Sequence, residues 1–222
     1  MILNLLLVIA AYLLGSIPSA VWIGKRFYGV DVRRHGSHNA GATNTLRVLG
    51  RRAAVPVFAL DFLKGYAAVS LEWLTSYHNL TPQMYNLEMA LAAAAVLGHM
   101  FPVFAGFRGG KGVATLSGAV TAMYPLAVLI CLGIFVAVYL VTKYVSLGSM
   151  AAGVCFPFIL VFVFGATYPH VVLFGVAIAV LLLATHRKNF RRLIDGTETK
   201  TYFFNRCKHP SGHDEGEPYK DI

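Results

Sequence analysis

A glycine-rich basic turn lies between two long apolar stretches and is well suited to binding an anion. It reads Gly106-Phe107-Arg108-Gly109-Gly110-Lys111-Gly112. Because glycine has no side chain, backbone N–H groups in such a turn can close around an anion, and the arginine and lysine add positive charge. The flanking stretches are apolar enough for a membrane. The pattern therefore predicts chemistry that joins a phosphorylated polar molecule to a lipid-soluble one.

The turn does not match a nucleotide-binding P-loop. A P-loop requires G-x-x-x-x-G-K-[ST] after a strand. Here Ala105 takes the first glycine position, Gly112 replaces the serine or threonine, and an apolar helix precedes the turn. We therefore do not expect NTPase activity, and we expect an anion to be held by N–H groups where a helix opens near Gly112.

A second polar segment, residues 35–47, is dense in hydroxyls, amides and glycines. One interpretation is a solvated turn that only follows the charge rule for membrane loops. The other is a binding loop whose hydrogen-bond donors are Ser37, Thr43, Asn44 and Arg47. Both interpretations stay open from these residues alone.

Two later segments are further candidates for the same site. Residues 142–149 contain Ser146 and Ser149, which indicate either a serine-capped helix start or a binding role. His186 and Asn189 are three residues apart and so share one helix face. A basic cluster at a membrane exit is the alternative for this last segment.

Two charged residues interrupt an otherwise apolar stretch. Asp61 and Lys64 are three apart, and charges within a membrane span are functional candidates by default, although a local ion pair is equally consistent. His35 and His38 lack further ligands at metal-binding spacing, so we predict no metal site and no cofactor.

The composition is that of an integral membrane protein. The 222 residues are 57% hydrophobic and 13% charged, whereas soluble domains are about 45–50% apolar and roughly 25% charged. The net charge of +9 does not indicate a nucleic-acid partner, because the basic residues cluster in a few loops.

Those loops predict the topology. Lysine and arginine are absent from residues 75–85 and 165–170 and concentrated in four other loops, which the positive-inside rule places in the cytoplasm. This arrangement requires residues 113–141, interrupted at Tyr124-Pro125, to cross twice; five spans plus a re-entrant hairpin is the alternative. We expect an all-α fold of seven transmembrane helices, two of them short, with the N-terminus outside and the C-terminus cytoplasmic. The predicted apolar segments are 2–23, 53–74, 87–104, 113–141, 151–164 and 171–185.

The chain is expected to form one membrane-embedded domain over residues 1–204. Residues 205–222 are polar and rich in Pro, Gly and His, which is typical of a disordered tail.

Together these segments resemble the bacterial acyl-phosphate:glycerol-3-phosphate acyltransferase family. The order, spacing and membrane setting of the matching stretches agree from the first span to about residue 200. The stretches are residues 15–20 (GSIPSA), 36–47, 98–114, 144–149 (YVSLGS) and 186–198.

The resemblance implies a multi-pass enzyme of the bacterial inner membrane with its active site at the cytoplasmic face. It would transfer a fatty acyl group from acyl phosphate to the sn-1 hydroxyl of glycerol 3-phosphate, giving lysophosphatidic acid and phosphate. By similarity, the catalytic residues are Ser37, Arg47, Lys111, His186 and Asn189. The substrate-binding residues are Thr43, Asn44, Arg108, Gly109, Gly110, Gly112, Ser146 and Ser149.

The residues also leave the general base open between a substrate phosphate oxygen and His186. Two other functional classes fit less well. An anion transporter usually places its site at the midplane between repeats, whereas here the polar residues collect on one face. A scaffold for lipid head groups would not need four loops of hydroxyl, amide and imidazole residues.

Overall fold

The computed structural model describes residues 1–77, 81–166 and 168–202. Within these ranges all regular structure is helical, as the sequence predicts, and no strand is present. The helices are α1 (Ile2–Gly15), α2 (Ser19–Tyr28), α3 (Ala42–Leu49), α4 (Arg51–Ser70), α5 (Pro82–Met100), α6 (Val113–Met123), α7 (Pro125–Thr142), α8 (Val145–Phe162), α9 (Pro169–Thr185) and α10 (Arg187–Ile194), with short 3-10 turns at Val32–Arg34, Leu71–Leu74 and Val103–Ala105.

Five helical segments of the described chain are long and apolar enough to cross a membrane, or six if α9 and α10, bent by 59°, count as one span. α6 is apolar but has only 11 residues. The predicted count of seven spans and the orientation of the termini stay predictions. The five segments are Ile2–Tyr28, Arg51–Leu74, Pro82–Ala105, Pro125–Thr142 and Val145–Phe162.

Two breaks follow from proline. Residues 113–141 are interrupted at Tyr124, as predicted, and Pro125 opens α7, where its missing N–H has no helical partner to lose. Of the two helices in this stretch, α6 is short and α7 has 18 residues, so our expectation of two short helices is wrong for α7. The predicted first span, residues 2–23, is also divided, since α1 ends at Gly15 and α2 begins after Pro18.

Close helix contacts depend on small residues. A Cβ at Gly65 or Gly118 would overlap backbone atoms of the opposite helix in the α4–α6 pair, and one at Gly98 would overlap the backbone of α1. Such approaches are typical of helix packing in lipid. The large apolar side chains that remain exposed on the outer helix faces, such as Leu129 and Leu173, suit contact with lipid.

The polar segments identified in the sequence lie at ends of these helices. The 29–41 loop precedes α3, the glycine-rich turn joins α5 to α6, Lys143 and Tyr144 separate α7 from α8, and His186 ends α9. The predicted tail, residues 205–222, lies outside the described residues, and the domain limit at 204 stays a prediction.

Candidate active site

A cavity of about 820 Å³ lies between α3, α4, α6, α8 and α9. Its lining is polar where the loops meet and apolar toward the interior, where Phe62, Leu116, Phe156 and Leu182 contribute. Ten of the thirteen predicted site residues line it, and their roles stay predictions. They are Ser37, Thr43, Asn44, Arg47, Lys111, Gly112, Ser146, Ser149, His186 and Asn189.

One hydrogen-bond network joins three of the predicted segments around a carboxylate. The Lys111 ammonium donates to Asn189 Oδ1. Asn189 Nδ2 donates to Glu198 Oε1 at 2.7 Å, and Ser146 Oγ donates to the same oxygen at 2.8 Å. Arg192 Nε donates to Glu198 Oε2, also at 2.7 Å. The glutamate therefore fixes the positions of the asparagine and the serine, and through Asn189 it fixes the lysine.

Glu198 is the residue of this network that sequence reasoning missed. Glu198 lies in the matching stretch 186–198 but was not among the predicted site residues, yet its side chain is 1% exposed at the centre of the network. Burial acts to raise the pKa of Glu198, but hydrogen bonds from Arg192, Asn189 and Ser146 outweigh it, and the pKa stays below its ordinary value. The available signal was its place in the stretch 186–198, six residues after Arg192.

The Lys111 ammonium is held in a partly desolvated position. Burial lowers its pKa to about 8; the carboxylate of Glu198 opposes this shift, while the charges of Arg192 and Arg47 add to it. A lysine with a lowered pKa in a cleft, beside other cations, is a candidate for binding an anion, because an incoming negative charge relieves the repulsion.

His186 is a neutral hydrogen-bond acceptor at the cavity wall. Burial and the nearby charge of Lys111 lower its pKa to about 4. Its Nδ1 lies 2.8 Å from the carbonyl of Leu182. A carbonyl can only accept, so Nδ1 carries the proton, and Nε2 of the neutral ring keeps its lone pair.

Arg47 reaches the site from α3 and retains a spare donor. Its Nη2 donates to the Thr199 carbonyl at 3.2 Å and to Thr201 Oγ1 at 3.3 Å. Its Nε is buried and has no hydrogen-bond partner among the described residues. A guanidinium with an unused N–H beside a cavity suits an oxyanion ligand.

Asn44 organises the loop that carries Ser37. Its Nδ2 donates to the carbonyls of Val32, His35 and Asn39, and its Oδ1 accepts the backbone N–H and the hydroxyl of Ser37. We predicted Asn44 as a donor to substrate. Its N–H groups are committed to the loop, so we revise its role to holding Ser37 in place.

The glycine-rich turn differs from the predicted anion cradle. The N–H of Gly109 donates to the Met100 carbonyl at 3.1 Å, and that of Gly110 donates to the His99 carbonyl at 3.2 Å. Neither glycine lines the cavity, nor does Arg108, which is exposed. The expectation that these N–H groups close around an anion is therefore wrong for Gly109 and Gly110, and Arg108 is not brought to the site.

The last glycine of the turn does lie at the cavity. Gly112 has φ +82°, a conformation that favours glycine, and it precedes the first residue of α6. The N-terminus of α6 therefore opens beside Lys111. Unpaired N–H groups at a helix start attract negative charge, so this part of the predicted anion site is retained.

Ser149 and the intramembrane pair are also located. Ser149 Oγ donates to the carbonyl of Val145 at 3.0 Å, which leaves its lone pairs toward the cavity. Asp61 and Lys64 form an ion pair with 2.8 Å between Oδ1 and Nζ. This contact confirms the interpretation as a local ion pair. Asp61 also lines the cavity, which leaves room for a further role.

Comparison with known proteins identifies the family. A sequence model described as "Glycerol-3-phosphate acyltransferase" matches residues 5–196. The chain belongs to the glycerol-3-phosphate acyltransferase family. A glycerol-3-phosphate acyltransferase of Salinibacter ruber is 40% identical over 94% of this chain and 97% of its own. A glycerol-3-phosphate acyltransferase of Fusobacterium nucleatum is 43% identical over 88% of this chain and 97% of its own.

Solved structures agree with this assignment. The crystal structure of PlsY, an integral membrane glycerol 3-phosphate acyltransferase, in its glycerol 3-phosphate form superimposes with a TM-score of 0.79 at 40% identity, covering 90% of this chain and 96% of that one. The lysophosphatidic acid form of the same protein gives a TM-score of 0.76 at 39% identity, again covering 90% of this chain and 96% of that one. This member of the acyltransferase family is therefore a helical, multi-pass membrane protein.

Proposed function

We propose that the protein transfers a fatty acyl group from acyl phosphate to the sn-1 hydroxyl of glycerol 3-phosphate, giving lysophosphatidic acid and phosphate. The observation that carries this proposal is a single cavity with a cationic polar end and an apolar interior. The names of the relatives and the two ligand forms of the solved relative support the acceptor and the product. Acyl phosphate as the donor is what the family resemblance implies, and the cationic end of the cavity suits its phosphate group.

The polar end suits two phosphates. Lys111 supplies a point charge, Arg47 supplies a fork with an unused N–H, and the start of α6 supplies backbone donors. Both substrates carry a phosphate group. The cations and hydrogen-bond donors of this end would therefore bind two anions in each catalytic cycle. Ser37 and Ser149 add hydroxyl groups at the rim.

The apolar interior suits the acyl chain. Phe62, Leu116, Phe156 and Leu182 line it, and these side chains come from α4, α6, α8 and α9. These side chains are about as apolar as lipid tails, so the acyl chain can pass from the lipid into the cavity without exposing its methylene groups to water. The reacting carbonyl would then sit where the apolar lining meets Lys111.

The reaction needs little covalent help from the protein. The acceptor hydroxyl oxygen attacks the acyl carbonyl carbon, the bond from that carbon to the phosphate oxygen breaks, and phosphate leaves with the electron pair. Positioning and charge stabilisation supply most of the catalysis for such an activated donor. The proton of the hydroxyl passes either to a phosphate oxygen or to Nε2 of His186, which is free to accept it.

We place the enzyme in the bacterial inner membrane with this site at the cytoplasmic face. The basic loops support that orientation, because Arg47, Lys111 and Arg192 all lie at the same end of the helices as the cavity. Water-soluble glycerol 3-phosphate would enter from the cytoplasm, and the acyl chain would enter from the lipid.

The test is formation of lysophosphatidic acid from labelled glycerol 3-phosphate by the purified protein in detergent, with acyl phosphate, acyl-CoA and acyl-carrier protein compared as donors; with acyl phosphate, release of phosphate is followed as well. We expect activity with acyl phosphate, and loss of most of it in Lys111→Ala and Arg47→Ala. Arg108→Ala is the matched control, because this arginine of the same turn is exposed and does not line the cavity. Uptake of glycerol 3-phosphate into proteoliposomes without acylation would favour a transporter instead.

A further inference from the structure

A buried polar cluster lies beneath the glycine-rich turn and has no part in the chemistry described so far. It consists of Ser19 on α2, Asp61 and Lys64 on α4, and His99 on α5, whose exposed fractions are 2%, 1%, 6% and 6%. Asp61 and His99 also line the cavity. Ionisable groups buried among membrane helices are costly, so a cluster of this kind calls for a reason.

Asp61 is the centre of the cluster. Ser19 Oγ donates to Asp61 Oδ1 at 2.6 Å, and Lys64 Nζ lies 2.8 Å from the same oxygen. Lys64 also donates to the carbonyl of Ile17 at 2.7 Å. These contacts hold the carboxylate in one position between α2 and α4.

The imidazole of His99 lies next to this carboxylate. Its Nδ1 is 3.6 Å from Asp61 Oδ1, within ion-pair range and longer than a hydrogen bond. Nδ1 is buried and has no hydrogen-bond partner among the described residues. A buried ring nitrogen that is left unpartnered violates a general rule of packing, and such violations concentrate at functional sites.

His99 supports the turn from below through its backbone and its side chain. Its carbonyl accepts the N–H of Gly110 at 3.2 Å. A Cβ on Gly110 would overlap the imidazole at Nε2, so the ring fills the space on the inner side of the turn. The residue after Gly110 is Lys111, the cation of the proposed phosphate site.

We propose that Asp61 and His99 are positioning residues for Lys111. Asp61 lies beside the imidazole of His99 and limits where the ring can sit, the ring fills the space beneath the turn, and the turn determines where the Lys111 ammonium meets a substrate phosphate. The inference rests on the proposed function, in which Lys111 binds phosphate. A lysine side chain is a flexible point charge, so its backbone must be placed accurately, and a displacement of about 1 Å can cost about 100-fold in rate.

A double-mutant cycle tests the contact between His99 and Gly110. We expect His99→Ala and Gly110→Ala each to lower kcat/KM for glycerol 3-phosphate by about 100-fold, one by removing the support and the other by pushing the turn off the ring. In the double variant the new methyl group occupies the space that the ring has left. The kcat/KM of the double variant should therefore be about tenfold higher than that of Gly110→Ala alone. Losses that simply add would overturn the proposed contact.

A second arm tests Asp61 without leaving an unpaired charge. Asp61→Asn/Lys64→Met removes both members of the ion pair, which avoids the large cost of isolating one buried charge. Glu88→Gln is the matched control, because Glu88 is a 4% exposed acid on α5 that does not line the cavity. We expect the double variant to lose activity at an unchanged melting temperature, and the control to keep its activity.

An activity-independent readout separates this inference from the proposed function. The rate at which a water-soluble amine-acylating reagent modifies Lys111, followed by mass spectrometry, should rise severalfold in His99→Ala and in Asp61→Asn/Lys64→Met and stay unchanged in Glu88→Gln. A wild-type protein that cannot acylate glycerol 3-phosphate would defeat the proposed function while leaving this labelling test intact. An active wild type whose variants match it in both kcat/KM and labelling would defeat the positioning role.

Discussion

Lys111 should lose its charge within the pH range in which the enzyme can be assayed, and we predict that activity falls with it. Burial lowers the pKa of Lys111 to about 8, whereas an ordinary lysine titrates near 10.4. As the pH rises through about 8, the ammonium becomes a neutral amine and the site loses a cation that faces phosphate. The prediction is a descending limb in the pH profile of kcat/KM for glycerol 3-phosphate.

The size of the fall follows from the pKa. One pH unit above the pKa, roughly one lysine in eleven remains protonated, so kcat/KM should be about tenfold lower near pH 9 and about a hundredfold lower near pH 10. This parameter reports the free enzyme. A bound phosphate raises the pKa of the lysine. The descending limb in the pH profile of kcat should therefore lie at higher pH than the limb in the profile of kcat/KM.

The assay is the initial rate of phosphate release across this pH range, corrected for hydrolysis of the donor without enzyme. Lys111→Arg is the matched variant, because a guanidinium stays charged throughout. We expect lower activity in this variant, since arginine and lysine differ in shape, but no descending limb. His186, whose pKa is about 4, does not titrate in this range.

Two results would refute the reasoning. A wild-type profile that stays flat to about pH 10 would mean that Lys111 keeps its charge or that its charge is not needed. A limb that persists at the same midpoint in Lys111→Arg would mean that another group, or the substrate, is titrating.

Three further predictions concern stability, orientation and mechanism. Glu198→Gln should lower the free energy of unfolding by about 1.5–3 kcal/mol at neutral pH, because it weakens charge-assisted hydrogen bonds to a buried carboxylate; since the folded pKa of Glu198 is lowered, the difference from wild type in thermal melts should shrink as the pH falls below about 4.5. Cysteines placed in residues 75–85 and 165–170 should react with an impermeant thiol reagent on intact cells, and a cysteine replacing Ser37 should react only after permeabilisation; labelling of that cysteine from outside would reverse the proposed orientation. Acyl transfer should be direct and the kinetics sequential, because the donor is already activated and the site serines lack a good base: Ser37 and Ser149 donate to an amide oxygen and a backbone carbonyl, and the carboxylate that accepts from Ser146 has a lowered pKa. A burst of phosphate from acyl phosphate alone, with acyl chain retained on the protein, would contradict this.

Features governed by local chemistry could be predicted from the sequence. The helical fold follows from hydropathy, and the break at Tyr124 follows from the proline after it. The predicted site residues that line the cavity lie near helix ends and mostly carry polar groups, which made them visible as interruptions of apolar runs. Lys111, His186 and Asn189 belong to this class, and the cavity brings them together.

Features that depend on tertiary contacts could not be predicted. The N–H groups of Gly109 and Gly110 looked available, but the end of α5 supplies carbonyls that accept them. Asn44 looked like a donor to substrate, and only the folded loop shows that its donors are already used. Glu198 becomes important because Ser146, 52 residues earlier, meets it across the cavity. No spacing rule within one segment encodes such meetings.

The contacts of the segment that follows α10 have a consequence for biosynthesis. Glu198 joins Ser146 to Asn189, the Thr201 carbonyl accepts from Tyr139, and Arg47 donates to the Thr199 carbonyl. The polar end of the cavity therefore acquires its shape only when residues 198–201, which follow α10, have left the ribosome and joined the earlier helices. A chain caught earlier in insertion already contains Arg47 and Lys111. It lacks Glu198, which orders Lys111 through Asn189, and it lacks the two threonines that accept from Arg47. We therefore expect acylation only from a chain whose residues 198–201 have joined the earlier helices, so that a half-inserted enzyme would not release single-chain, detergent-like lipid beside the machinery that is inserting it.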